Sequence, residues 1–340
     1  MQGETGLLTP LQVRTLRLRN RIVMPPMANN RATLAGDVTD AIIEHYAYRA
    51  SGVGLVIVEH SYVTQAGRAN PSQLGINEDS NVPGLMRLVA AIRGAGTACA
   101  IQITHAGSRT TEQASGFAPE GPSAVAPPQT PGGTHLPPPR ELSTEDIAAL
   151  TTAFAQAARR ARRAGFGAVE IHGAHGYLLN QFMSPLTNDR GDAYGGDRGR
   201  RLRFPLEVVA AVRAAVGPDY PIWYRLGADD MIPGGLTVDD AVYAAPVLAG
   251  AGVDVLDISG GMLGSRPPGL GGEGYLSHLS RAVKEAVPAV PVMVTGGIVT
   301  PGTADRLIRE RYADLVGIGR ALLADPEWAI KAAKTIAEPG

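Results

Sequence analysis

The feature that most constrains the fold of this chain is a regular alternation of short apolar runs with longer segments of helical period. Apolar runs between turn signals are typical of buried strands, whereas apolar residues three and four apart are typical of helices. The predicted strands are residues 22–24, 54–58, 98–103, 168–171, 222–225, 255–258, 292–294 and 315–318. The predicted helices are residues 40–50, 82–94, 144–165, 201–216, 238–251, 275–287 and 301–309. These β–α units favour a (β/α)8 barrel of the α/β class, with a doubly wound open sheet as the alternative.

Two segments add to the predicted barrel. Residues 7–20 alternate apolar and polar side chains, which predicts an N-terminal β-hairpin. Residues 113–140 are rich in Pro, Gly, Ala and Ser and are predicted to form an elaborated loop after the third strand. The strand–helix alternation resumes directly after this loop, so an interdomain linker is the weaker interpretation. We therefore expect residues 1–340 to form one domain.

Charge and cysteine content exclude several classes of protein. The net charge is −1, so no overall field attracts the chain to nucleic acid or to an anionic membrane. The single cysteine, Cys99, excludes an internal disulfide, a Cys-based zinc site and a protein-held iron–sulfur cluster. No signal peptide is visible at the N-terminus, and no apolar run reaches the length of a membrane span. We expect a cytoplasmic protein without nucleic-acid or membrane partners.

The segment A-V-E-I-H-G-A-H-G-Y-L at residues 168–178 carries the strongest functional pattern. His172, His175 and Tyr177 follow a predicted strand, and two imidazoles with a phenol can bind an anionic oxygen and deliver a proton beside it. A metal site is the weaker interpretation, because no H-E-x-x-H pattern and no obvious third ligand accompany the histidines. Core packing suits two close histidines beside glycine poorly. The polar stretch at residues 184–196 is predicted to be a long ordered loop outside the core.

Polar residues also follow the other predicted strands, and in a barrel all these strand ends meet at one face. T-G-G-I at residues 295–298 and G-I-G-R at residues 317–320 allow close backbone approach, which favours a phosphate site that includes Arg320. Tight β–α turns without a ligand are the alternative. Gln102 and Arg225 carry hydrogen-bonding groups that suit the polar edge of a flavin ring. Alternatively, Gln102 is an ordinary polar residue at a strand end and Arg225 forms a structural ion pair.

These motifs resemble those of the flavin-dependent old yellow enzyme family. The resemblance rests on H-G-A-H-G-Y-L followed by S-P-L-T-N-D-R-G-D-A-Y-G-G, and on L-R-N-R-I-V-M-P-P-M, V-G-L-V-I-V-E, I-Q-I-T-H-A-G and D-L-V-G-I-G-R-A-L-L-A-D-P in family order. It implies non-covalently bound FMN. By the same resemblance, the residues that hold FMN are Pro26, Met27 and Ala28 at the ring edge, His60 close to the ring, Gln102 and Arg225 at its pyrimidine side, and Gly296, Gly297, Gly319 and Arg320 at the phosphate.

The resemblance also implies a reaction in two halves. NADH or NADPH reduces the flavin, and a small α,β-unsaturated carbonyl compound then binds with its oxygen between His172 and His175. Hydride passes to the β-carbon while Tyr177 protonates the α-carbon. Two alternatives stay open. One is an amine demethylase, desaturase or isomerase on the same barrel. The other is a flavin-binding or sensor protein without turnover, which would need no proton donor.

Three departures from the family pattern bear on specificity. Ala28 stands where many relatives have Cys or Thr beside the flavin, which removes a side chain that tunes the flavin potential. Asn30 stands where one branch has Tyr, so this candidate substrate contact is lost or changed. The sequence ends at Gly340 without the aromatic, Arg-containing tail by which that branch reaches into a neighbouring active site. A homo-oligomer is compatible with this ending, but we expect its active sites not to be shared.

Overall fold

A computed structural model describes residues 5–130, 132–133 and 135–337, and its centre is a closed barrel of eight parallel strands. The strands are β1 (Leu11–Val13), β2 (Leu16–Leu18), β3 (Ile22–Met24), β4 (Leu55–Tyr62), β5 (Ala98–Thr104), β6 (Glu120–Gly121), β7 (Arg140–Glu141), β8 (Ala168–Gly173), β9 (Ile222–Gly227), β10 (Val255–Ser259), β11 (Val292–Val294) and β12 (Leu315–Gly317). The barrel consists of β3, β4, β5 and β8 to β12, in chain order. Because β12 pairs with β3, the sheet closes. The predicted (β/α)8 barrel is confirmed, and the open doubly wound alternative is excluded.

Helices follow the barrel strands. They are α1 (Asp40–Ala47), α2 (Val82–Gly94), α3 (Glu112–Ser115), α4 (Thr144–Arg163), α5 (Leu178–Met183), α6 (Arg198–Arg201), α7 (Arg203–Val216), α8 (Val238–Ala251), α9 (Ser277–Ala286), α10 (Pro301–Arg309), α11 (Arg320–Ala324) and α12 (Trp328–Ala337). The longest, α4, begins at a capping box in which Ser143 and Asp146 each accept a hydrogen bond from the other's backbone N–H.

All seven predicted helices are present, and the described residues contain five further α-helices that the sequence pattern does not predict. Four of these, α3, α5, α6 and α11, have six residues or fewer, which is too short to show a helical period. The fifth, α12, buries Trp328, Ala329 and Ala332 on one face, and this helical spacing is visible in the sequence.

The predicted N-terminal hairpin is present as the antiparallel pair β1–β2. Its side chains Val13 and Leu18 are buried in one apolar cluster with interior barrel residues that include Leu55, Ala168 and Trp223. The hairpin therefore covers the barrel at the amino ends of its strands. This apolar cluster is separate from the larger core between the strands and the surrounding helices.

On several barrel strands, the face toward the interior changes from apolar to polar in the direction of the carboxyl end. Residues two apart share a face of a strand. On β8 the sequence Ala168, Glu170, His172 therefore rises on one face, and all three side chains are buried. On the neighbouring β9, Trp223 is in register with Glu170 and Arg225 with His172. On β9, two residues of rise thus separate the apolar Trp223 from the ionisable Arg225.

The predicted loop after the third barrel strand is present between β5 and α4. The connection between β5 and α4 contains α3 and the short parallel pair β6–β7, and residues 131 and 134 within it lie outside the described part. Arg190 secures this loop by donating hydrogen bonds to the carbonyl oxygens of Pro122 and Leu142, at 2.7 and 2.6 Å. Among the described residues, no helix has the length and apolar character needed to cross a bilayer. The single domain over residues 1–340 stays a prediction.

Candidate active site

A cavity of about 460 Å³ opens at the carboxyl ends of the barrel strands. All eight barrel strands, or the loops that follow them, contribute to its lining. The lining residues are Pro25, Pro26, Met27, Ala28, His60, Gln102, His172, His175, Tyr177, Arg225, Ser265, Arg266, Tyr275, Thr295, Gly296, Gly297, Ile298, Val299, Gly317, Gly319 and Arg320. The fold therefore brings every candidate residue of the sequence analysis except Asn30 to one cavity.

His172, His175 and Tyr177 form one cluster of rings at this cavity. The His172 ring centre lies 5.0 Å from that of His175 and 4.9 Å from that of Tyr177. A left-handed turn after β8 makes this convergence possible, with φ of 60° at His175 and 70° at Gly176. Glycine adopts such a φ without strain, whereas histidine does so at a cost in conformational energy. The turn brings His175 Nε2 to 2.7 Å from the hydroxyl of Ser259.

The tautomer of His172 follows from its backbone contact. Its Nδ1 accepts a hydrogen bond of 3.3 Å from the N–H of Ala174. In a neutral imidazole the other nitrogen then carries the proton, so Nε2 is a hydrogen-bond donor. The hydroxyl of Tyr177 has no hydrogen-bond partner among the described residues and lines the same cavity. Both groups are therefore available to a ligand.

Burial sets the protonation states of this cluster. Desolvation, followed by the neighbouring His175 and then by Arg225, lowers the pKa of His172 well below its ordinary value. The pKa of His175 is likewise lowered well below the ordinary value by burial and then by Arg225. Burial raises the pKa of Tyr177, against which Arg109 acts in the opposite direction. At neutral pH the cluster therefore presents neutral imidazoles and a protonated phenol.

A β-bulge places His60 at the cavity. The pairing of β4 with β5 shifts between Val58 and Ser61, which inserts one extra residue into β4. His60 lines the cavity, while the carboxylate of its neighbour Glu59 accepts a hydrogen bond of 2.9 Å from the backbone N–H of Asn29. Burial raises the pKa of Glu59 to about 7. The sequence predicts that this strand ends at Val58, and nothing in its pattern predicts the bulge.

Gln102 and Arg225 line the cavity and also contact carboxyl groups beneath it. Gln102 Nε2 donates a hydrogen bond of 2.8 Å to Glu170 Oε1. Arg225 Nε lies 3.1 Å from Asp257 Oδ2, and its Nη2 donates to the hydroxyl of Ser259 at 3.4 Å. The two interpretations of Arg225 are therefore compatible, because the same guanidinium forms an ion pair and faces the cavity.

Glycine turns after β11 and β12 form another wall of the cavity. Gly296 and Gly297 have φ of 125° and 70°, which side-chain-bearing residues rarely adopt. A Cβ on Gly297 would lie only 3.1 Å from the carbonyl oxygen of Gly272 and 3.2 Å from Arg320 Nη2. The guanidinium of Arg320 forms no hydrogen bond or ion pair within the described residues. An unpaired cation beside a glycine turn is suited to an anionic group such as phosphate.

The segment after β3 has a mixed outcome. Pro26, Met27 and Ala28 line the cavity as expected, and Met27 Sδ lies 3.0 Å from the position that a Cβ would take on Gly319. Asn30 is exposed, has φ of 53°, and does not reach the lining. Its role as a substrate contact stays a prediction.

Two parts of the surroundings were missed or misjudged from sequence. Ser265, Arg266 and Tyr275 reach the cavity from the glycine-rich loop after β10, where the Tyr275 hydroxyl donates to the Ser265 carbonyl oxygen at 2.8 Å. The repeated glycines between Arg266 and Tyr275 are the signal in the sequence that could have indicated this loop.

In the stretch predicted to lie outside the core, Thr187 and Asn188 are buried, and their side chains donate hydrogen bonds to backbone carbonyl groups. Backbone partners thus compensate for the burial of polar residues.

Comparison with known proteins agrees with this geometry. The sequence model of the NADH:flavin oxidoreductase / NADH oxidase family matches residues 6–338. An NADH oxidase of Thermoanaerobacter brockii is 42% identical over 333 residues, which are 96% of this chain and 50% of that protein. An NADPH dehydrogenase of Geobacillus thermodenitrificans is 38% identical, with 98% of this chain and 95% of that protein covered. The structure of morphinone reductase aligns with a TM-score of 0.85 at 30% identity, over 98% of this chain and 90% of that one. The chain thus spans about half the length of the NADH oxidase and most of the other two.

Proposed function

Because the chain belongs to the NADH:flavin oxidoreductase / NADH oxidase family, whose members use FMN with NADH or NADPH, we propose that it reduces the activated C=C bond of small α,β-unsaturated carbonyl compounds. The observation that carries this proposal is the convergence of two neutral imidazoles and a protonated phenol on the cavity. Such a set can bind a carbonyl oxygen and deliver a proton.

The residues of the cavity fit FMN. A volume of about 460 Å³ lies within the range of cofactor and ligand sites. Arg320 and the turn at Gly296 and Gly297 would hold the phosphate, since they offer an unpaired guanidinium beside closely approachable backbone. Gln102 and Arg225 would hold the polar edge of the ring, with Pro26, Met27, Ala28 and His60 along its other edge. When bound, FMN supplies hydride transfer between the nicotinamide and the alkene.

The chain's own residues would act on the substrate oxygen and on the proton. His172 and His175 would bind the carbonyl oxygen as neutral hydrogen-bond donors. The oxygen gains negative charge in the transition state, so these hydrogen bonds strengthen there and lower the barrier. Tyr177 would donate its phenolic proton to the α-carbon, because its raised pKa keeps the proton on the phenol at neutral pH.

The proposal is tested by the visible absorption spectrum of the purified protein under anaerobic conditions. We expect bands of oxidised flavin, bleaching on addition of NADPH or NADH, and recovery of the bands on addition of 2-cyclohexenone. A colourless protein that does not take up added FMN would overturn the cofactor assignment. A yellow protein that neither nicotinamide bleaches would favour the demethylase, desaturase or isomerase alternative.

A further inference from the structure

Two buried carboxyl groups lie beneath the cavity and take no part in the proposed reaction. Glu170 on β8 and Asp257 on β10 are both fully buried, and neither reaches the cavity lining. Each contacts a lining residue, Glu170 through the amide of Gln102 and Asp257 through the guanidinium of Arg225. We call these four residues the sub-cavity layer. A buried carboxylate is costly unless it is paired, so the charge of this layer requires an explanation.

The layer contains two carboxyl groups and one permanent cation. The cation that acts on both carboxyl groups is Arg225. The histidines that face it, His60, His172 and His175, have lowered pKa values and add no positive charge at neutral pH. Two ionised carboxylates would therefore leave one buried negative charge without a partner. A neutral layer needs exactly one proton on the carboxyl pair.

The contacts indicate which carboxyl group holds this proton. Asp257 Oδ2 lies 3.1 Å from Arg225 Nε, whereas the hydrogen bond of Glu170 comes from the uncharged amide of Gln102. Glu170 Oε2 and both carboxyl oxygens of Asp257 are buried and have no hydrogen-bond partner in the described residues. A proton on Glu170 Oε2 removes the negative charge from this unpaired, buried oxygen. The pKa shifts agree with this order: burial raises the pKa of Asp257 to about 6 against the opposing effect of Arg225, whereas burial and then Asp257 raise the pKa of Glu170 well above its ordinary value.

We propose that Glu170 and Asp257 are positioning residues for the flavin site, with Glu170 neutral and Asp257 ionised. Glu170 Oε1 takes an N–H of Gln102, which leaves the amide oxygen of Gln102 to accept from a ligand in the cavity. Asp257 restrains Arg225 and neutralises it. The layer thereby sets both the hydrogen-bonding pattern and the net charge that a bound flavin meets. This inference rests on the proposed placement of FMN against Gln102 and Arg225.

Three variants separate these roles, with FMN affinity and midpoint potential as readouts. In a Glu170→Gln background, where Glu170 cannot ionise in compensation, Asp257→Asn leaves the charge of Arg225 unbalanced, which favours the more negative reduced flavin. We expect the ratio of FMN dissociation constants, oxidised to reduced, to rise at least about tenfold, which corresponds to about 30 mV for a two-electron couple. Glu170→Gln matches a neutral glutamic acid in shape and charge, so we expect the FMN affinity to stay within about twofold of wild type and the midpoint potential within about 10 mV. Glu170→Met removes the acceptor for Gln102, and we expect FMN to bind about tenfold more weakly.

Asp254→Asn is the matched control. Asp254 immediately precedes β10, where its carboxylate pairs with Arg213 at 2.6 Å, away from the cavity. We expect this variant to lower stability without changing the potential.

If Glu170→Gln raises the potential as Asp257→Asn does, Glu170 is ionised and the assignment is wrong. If Asp257→Asn in the Glu170→Gln background leaves the potential unchanged, Asp257 has no role in tuning the site. If Asp257→Asn does not fold, Glu170→Gln and Glu170→Met still test the layer. Wild-type protein that binds no FMN would instead overturn the proposed function.

Discussion

At the amino ends of the barrel strands the interior is filled by apolar side chains, whereas toward the carboxyl ends of β8, β9 and β10 it contains buried ionisable ones. The apolar end includes Val13 and Leu18 of the hairpin and Trp223 of β9, packed in one cluster. Two residues beyond Trp223 on the same strand face, Arg225 lies in the sub-cavity layer. Both ends are buried to a similar degree.

One barrel thus keeps the residues that stabilise the fold apart from the residues that can take part in a reaction. Burial of apolar surface at the hairpin end stabilises the fold with no requirement for partners. At the cavity end, each buried polar group needs a hydrogen bond or a counter-charge, and several of them have none among the described residues. Unpaired groups cost stability, but they are also the groups that can bind a ligand. We therefore expect substitutions at the two ends to affect different measurements.

The largest effect is expected at the cavity end, from Tyr177→Phe. Removal of the phenolic proton should slow alkene reduction by roughly 10²–10⁴-fold, while bleaching by NADPH and the unfolding free energy hardly change. Stopped-flow absorbance of the two half-reactions measures this. Tyr224→Phe is the control, because that buried hydroxyl contacts the Met183 sulfur at 3.8 Å and does not line the cavity. Unchanged alkene reduction in Tyr177→Phe would refute the assignment of the proton donor.

Trp223→Ala tests the opposite end. Truncation of this fully buried side chain should lower the unfolding free energy by about 3–5 kcal/mol, as measured by urea unfolding. Trp223→Phe should cost less than about 1.5 kcal/mol, because the Trp223 indole N–H has no hydrogen bond in the described structure. The separation of the two ends fails if Trp223→Phe changes the potential of the flavin as strongly as Asp257→Asn does.

His172→Ala should have a smaller effect than Tyr177→Phe. It removes one of two proposed donors to the substrate oxygen, a loss of about 1.5–3 kcal/mol. We expect alkene reduction to slow and phenolic ligands to bind more weakly, each by roughly 10–100-fold, with FMN retained. His45→Ala is a control, since His45 is buried on α1 outside the cavity. Equal losses in both variants would show a general packing defect.

The smallest effect concerns pH and Glu59. Burial raises the pKa of Glu59 from 4.5 to about 7, so between these values the folded protein holds a proton that the unfolded chain has lost. This group's contribution to stability therefore falls as pH rises through that window, by up to about 1.4 kcal/mol per pH unit. Glu59→Gln should gain stability relative to wild type from about pH 5 to about pH 7 and then level off. The difference between Trp223→Phe and wild type should not vary with pH. Parallel pH profiles for wild type and Glu59→Gln would contradict this account.

Much of the fold and of the candidate site was predictable from the sequence, because both depend on local periodicity. Each barrel strand is a short apolar run, and the barrel rule places the residues after these runs at one face. This was sufficient to predict His172, Gln102 and Arg225 as neighbours at one cavity. It was not sufficient for Asn30, whose exposed position depends on how the segment after β3 folds back.

The sequence by itself determined which residues are strands, which follow them and which chemistry they carry, because periodicity and residue type are properties of short segments. Only the tertiary structure decided which groups pair across strands. The bulge that brings His60 to the cavity depends on the register of β4 against β5. The contact between Arg225 and Asp257 likewise depends on the register of β9 against β10. Such registers depend on closure of the whole barrel, since a side chain finds its partner only when distant strands have taken their places.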